Sequence, residues 1–174
     1  MEDIFDQIKA ALSNKLYYLA LFNTVAIPDI CCALQSENNQ TDSKKYKNWF
    51  DSYITKLDPN KYGADGQLKA EHLWSIRCSL FHQGTTTDKK DYKRMLFIEP
   101  GNQTLGMHCT IVGANTEDKS LLIDIVKFCN DMITGAQLWS KENERNEFYM
   151  KNSTKLIQRY PEGVAPIFGV PVIG

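Results

Sequence analysis

The run Trp74-Ser75-Ile76-Arg77-Cys78-Ser79-Leu80-Phe81-His82-Gln83-Gly84 decides how the chain is read. At about 100° per residue, Leu73, Ile76 and Leu80 share one helical face, with Trp74 and Phe81 roughly 90° away. The spacing predicts a helix over residues 68–82, with Gly84 as its C-terminal stop. Arg77 falls between the two apolar groups. A guanidinium carries five N–H donors and cannot lie buried without acceptors, so it needs a carboxylate, carbonyl groups or a bound anion. Glu71, Ser75, Cys78 and His82 line a second, polar face of the same helix. Arg77 and His82 stand about 140° apart around the helix, so they are not neighbours on one face. His82 sits in the last turn, where a side chain is free to swing. A two-fold axis could also join the pair to the same residues of a second subunit.

Upstream, Ile4, Phe5, Ile8, Leu12, Leu16 and Leu19 recur at helical spacing and predict a first helix over 3–22. Asn23-Thr24 is read as its end. Pro28 then suits the first turn of a short helix over 28–35. Residues 36–43 form a polar loop. Tyr46, Trp49, Phe50, Tyr53, Ile54 and Leu57 make the apolar stripe of a helix over 43–57, with Asp42 or Ser43 as its N-cap. Downstream, residues 94–99 and 106–112 read as extended, with Pro100-Gly101-Asn102 between them, which predicts a β-hairpin. A long helix follows over 118–141, and residues 142–159 extend it or form another. The segment from Tyr160 to Gly174 carries three prolines and three glycines and cannot be regular helix. It reads as a tail that docks on a surface or on a partner chain.

The expected architecture is therefore mainly α: a bundle of about five helices with one small β-hairpin. A single domain spans 1–160, with the hairpin inserted near 94–112, and a Pro/Gly-rich tail spans 161–174. With 174 residues, 43% hydrophobic and 11% aromatic, the chain can bury its own core. Its 20 basic and 21 acidic residues leave a formal net charge of −1, unlike a protein that coats nucleic acid throughout. The five cysteines are odd in number and show no CxxC spacing; Cys32, Cys109 and Cys129 lie in apolar runs and read as small hydrophobes. That usage fits a reducing cytoplasm. The acidic start, Met1-Glu2-Asp3, predicts no signal peptide, and the unbroken apolar runs are too short to predict a membrane span.

Arg77, four intervening residues and then His82 near a helix end resembles the signature of the HEPN superfamily (the higher eukaryotes and prokaryotes nucleotide-binding fold). The order around it is similar to the bacterial HEPN-like branch: a long first helix, Cys32-Ala33-Leu34, Tyr46-Lys47-Asn48-Trp49, then the Arg–His helix. The resemblance implies a helical fold and a metal-independent endoribonuclease or an RNA binder, of a defence or toxin–antitoxin type. It implies a homodimer, RNA as ligand, an antitoxin or other protein partner, and no cofactor. His82 would be the general acid or base and Arg77 the phosphate clamp. Cys78 stands where catalytic members commonly carry Asn, Asp or His. The implied products are a 2′,3′-cyclic phosphate and a 5′-hydroxyl.

Ser79 and Gln83 are accessory donors in this reading, beside Glu71 and Cys78 on the polar face. Lys89, Lys90, Lys93 and Arg94 form the best basic patch for a nucleic-acid backbone. His72 and His108 read as lone histidines, and three histidines without paired spacing give no zinc signature. Asp118, Asp124 and Asp131 read as solvated positions. The alternative reading is a non-catalytic nucleotide-binding or protein-interaction module, in which Arg77 and His82 are structural.

Overall fold

A computed structural model describes residues 1–86 and 90–174, and the proposed Lys89 contact lies outside them. The architecture is mainly α, with six helices among the described residues and three small sheets. The helices are α1 (Glu2–Ser13), α2 (Tyr17–Gln35), α3 (Ser43–Tyr53), α4 (Ala70–Gln83), α5 (Ile125–Asn143) and α6 (Glu147–Ser153). α2 is the central element and packs against α1, α3, α4, α5 and α6.

The boundary between the first two helices differs from the expected one. α1 stops at Ser13, where the Ser13 hydroxyl and the Asn14 amide donate to the carbonyls of Lys9 and Ala10. Lys15 then adopts a left-handed φ of 58°, which turns the chain without a glycine. α2 runs straight through Asn23-Thr24 and holds Pro28 in its interior rather than in its first turn. A proline there removes one intrahelical N–H. One residue beyond the carbonyl this leaves free, the Tyr46 hydroxyl donates to the Val25 carbonyl at 2.8 Å, so α3 supplies a donor to the disturbed turn. The continuous α2 has the length and composition to cross a membrane, which the expected break had hidden, and half of that apolar window is buried against the other helices.

α3 begins where the sequence places it: the Asp42 carboxylate accepts the Lys45 N–H at 2.9 Å. The core fills the space between these helices. Phe5 and Ile8 of α1, Val25 and Ile27 of α2, Phe50 of α3, Ile76 of α4 and Trp139 of α5 are all buried. Gly135 lets α5 approach α3, since a Cβ there would meet the Ile54 side chain at 2.4 Å.

The expected β-hairpin is replaced by a different pairing. β1 (Arg94–Ile98) and β2 (Thr110–Val112) do not pair with each other; both flank β3 (Ser120–Asp124), β1 in parallel and β2 antiparallel. The residues of β3 lie within the span where the sequence predicts the start of the long helix. Its Leu121 and Ile123 are fully buried and Leu122 partly so, and a short apolar run of this kind shows neither period clearly. Asp124 ends the strand and, half-exposed, caps α5 by accepting the Lys127 N–H at 2.9 Å.

α6 docks on the end of α2 through Asn152. Its amide donates to the carbonyls of Leu34 (3.2 Å) and Ser36 (2.9 Å), next to the unpaired end of α2. Asn152→Ala is expected to cost about 2 kcal/mol, because buried carbonyls lose their donor. A urea titration checks this as a lowered midpoint with an unchanged slope. Beyond α6 the tail folds on itself. β4 (Arg159–Tyr160) pairs with β7 (Val172–Ile173), and β5 (Gly163–Val164) pairs with β6 (Ile167–Phe168) inside it.

Candidate functional site

α4 is fixed at both ends by groups that the sequence supplies locally. At its start the Lys69 N–H donates to His72 Nδ1 (3.1 Å), and His72 Nε2 lies 2.8 Å from the Asp91 carboxylate. His72 is thus a buried structural histidine, and its hydrogen bond to Asp91 holds that carboxyl below its usual range. At its end Gly84 takes a φ of 67°, its N–H donates to Leu80, and the Thr85 N–H donates to Ser79. The Ser79 hydroxyl lies against the carbonyls of Ile76 (3.2 Å) and Thr85 (2.8 Å). In this position it serves the helix end.

Arg77 lies where the sequence puts it, between the two apolar groups. Leu73 and Ile76 are fully buried beside it. Its Nε donates to Asp29 Oδ2 of α2 at 2.7 Å. The guanidinium carbon stands 5.3 Å from the Trp74 ring centre and 5.5 Å from the Phe81 ring centre, so the cation is set against two aromatic faces. Trp74 packs edge-on against Tyr46 and Phe81 against Phe22, which fixes both rings. The side chains of Arg77 and Asp29 keep 25% and 15% of their exposure. Burial pushes the Asp29 carboxyl above its usual range, and the Arg77 hydrogen bond and charge pull it part of the way back. Asp29 Oδ1 is buried and has no hydrogen-bond partner among the described residues. The contact is one-toothed, through Nε. Among the described residues, the two terminal nitrogens make no further hydrogen bond to an acid or a carbonyl. That edge of the guanidinium is the one whose parallel N–H groups match a phosphate.

Asp29 is the partner that the sequence reading missed. Its signal was an acid inside the apolar run from Val25 to Leu34. His82 is exposed, five residues on from Arg77, and forms no hydrogen bond with it. One chain therefore brings Arg77 to Asp29 and does not join it to His82. Cys78 is half-buried, in no disulfide, and lies beside the Arg77 guanidinium, while Glu71 and Gln83 are exposed. In the basic patch Lys90 and Arg94 are exposed, and Lys93 is paired with Asp118.

A second group of polar side chains was not read from the sequence. The Tyr62 hydroxyl donates to Asp131 Oδ2 at 2.6 Å and lies 2.7 Å from His108 Nε2. Lys127 Nζ holds the same carboxylate at 2.9 Å. Asp131 is thus an acceptor for two donors rather than a solvated position, and His108 is buried rather than isolated. Cys109 Sγ is 3.4 Å from His108 Nε2, and burial pushes its thiol up to about 12. A thiol so high is a poor nucleophile. Among the described residues no group of three or more His, Cys, Asp or Glu side chains is placed to hold a metal ion. Comparison with protein-family models, with curated proteins and with solved structures finds no match.

Proposed function

We propose that the protein is an HEPN-like, metal-independent RNA-cleaving or RNA-binding protein that works as a homodimer, with Arg77 as phosphate clamp and His82 as general acid or base. The observation that supports it is the one-toothed hold of Asp29 on Arg77 Nε. The carboxylate orients the guanidinium and leaves its paired terminal nitrogens for an anion. His82, exposed at the end of the same helix, is available to a proton. Because the two residues do not meet within one chain, the pair acts across two copies, each completing the other's site. The exposed Lys90 and Arg94 lie after the same helix and add contacts to the backbone of the strand. A 2′-hydroxyl of the RNA is then the nucleophile and a 2′,3′-cyclic phosphate the product.

The test is cleavage of single-stranded RNA by the purified protein in EDTA, beside His82→Ala. Loss of a general acid or base lowers the rate by about 100-fold or more. A variant as active as the wild type overturns the mechanism. The second reading, a non-catalytic nucleotide-binding or interaction module, draws support from the same ion pair: a carboxylate this buried needs its arginine. It expects no RNA cleavage by either protein, together with the loss of stability argued in the Discussion.

A further inference from the structure

We propose that His108 is an acid-sensitive latch on the segment between β1 and β2: neutral, it fastens residues 99–109 to α5 and to the loop before α4, and protonated, it lets them go. The segment has little else to hold it. From Glu99 to Met107 it is exposed or half-exposed, with Leu105 89% exposed, and His108 and Cys109 are its buried residues. The bonds from Thr104 Oγ1 to Glu99 and Gly101, and from the Met107 N–H to Thr104, stay within the segment. The receiving side is well fixed. The loop that presents Tyr62 is wound on itself, with the N–H groups of Gln67 and Leu68 both donating to Lys61 and that of Gly63 to Leu68. Lys127 holds Asp131 on α5.

The hydrogen bonds assign the proton on the ring. Tyr62 has one hydrogen, and it goes to Asp131 Oδ2, so Tyr62 accepts from His108 Nε2. Nε2 carries the proton of the neutral ring, and Nδ1 is a bare lone pair. Nδ1 is buried and meets no hydrogen-bond partner among the described residues. A second proton must go to Nδ1, where nothing accepts it. The charged and titratable groups that face the ring are Lys127, Asp131 and Asp124 from α5 and its cap, Lys61 and Tyr62 from the loop, and Cys109 from its own segment. Burial first, and then Lys127, hold the ring below the usual histidine range, while Asp131 and Asp124 act the other way. The released ring has the ordinary value of about 6.5, so the latch is at full strength above that pH and weakens as pH falls below it. Cys109 adds to the release. Its φ of 52° lies in the left-handed region that a residue with a β-carbon rarely adopts, and opening relieves it.

The experiment is hydrogen exchange on the full chain at pH 7.5 and 5.0, corrected for the intrinsic effect of pH, read on peptides within 99–109. In the wild type, protection there falls by up to about 30-fold at pH 5.0, the ratio set by a ring that titrates freely only when released. Peptides of α2 and α5 keep their protection. His108→Gln shows the same protection at both pH values, whether the glutamine closes the segment or leaves it open. Tyr62→Phe, which keeps the ring and removes the hydroxyl, lowers protection of 99–109 already at pH 7.5. The latch is overturned by wild-type protection that does not change with pH, by a change that persists in His108→Gln, by a loss that spreads to α2 and α5, or by a Tyr62→Phe segment as protected as the wild type.

Discussion

The Arg77→Ala variant is expected to melt about 6 °C below the wild-type protein, a loss of about 2 kcal/mol. The cause is what the substitution leaves behind. Among the described residues Asp29 Oδ1 already lacks a partner, and without Arg77 the other oxygen loses its one hydrogen bond as well. The carboxyl must then be buried uncompensated or take up a proton. A fully buried pair broken in this way costs more, about 3–5 kcal/mol, but here both side chains keep some solvent. The aromatic slot adds to the loss, since Trp74 and Phe81 give up the cation between them. Combining Asp29→Asn with Arg77→Ala restores part of the stability, because no charge is then left buried. Calorimetry of the three variants measures this. An Arg77→Ala protein as stable as wild type shows that the ion pair holds nothing together, and the structural reading of Arg77 then fails.

Trp139→Ala is expected to be more damaging still, about 4 kcal/mol and about 12 °C. Trp139 is fully buried on α5, packs edge-on against Tyr149 of α6, and donates its indole N–H to Gln35 at the end of α2 at 2.8 Å. One side chain thus joins three helices, and its removal leaves a large void and breaks the link to the exposed Gln35 amide. Trp139→Phe separates the two effects, since it fills most of the void and still loses the hydrogen bond. Chemical denaturation of both variants gives the order, and an alanine variant within 1 kcal/mol of wild type means that the neighbouring helices collapse into the space.

The parts of this fold that were legible in the sequence are those whose signals are local. The Asp42 cap, the one-sided stripe of α3 and the stop at Gly84 are each encoded within a few residues, and each is found. The need of Arg77 for an acceptor was equally legible, because it follows from five donors on an apolar face. Which acceptor was not, since Asp29 lies 48 residues away on another helix. The junction of α1 and α2 failed for a different reason. It depends on Lys15 taking a backbone conformation that its side chain disfavours, while Asn23 and Pro28 lie inside a continuous α2, where the Tyr46 hydroxyl of α3 donates one residue past the carbonyl that Pro28 leaves free. β3 was lost to length: five residues, with the apolar Leu121, Leu122 and Ile123 consecutive, are too few to show a period. His108, Tyr62 and Asp131 come from three separate segments, so no spacing announces them.

The strand order β1-β3-β2 also sets the order in which the chain can fold. A hairpin of neighbouring strands can close by itself, at little entropic cost, as soon as both have left the ribosome. Here β1 and β2 wait without partners until Ser120–Asp124 has been made. Asp124 is both the last residue of that strand and the cap of α5. Closing the sheet and starting the helix that buries Trp139 are therefore one event, and the C-terminal half of the domain is built all at once.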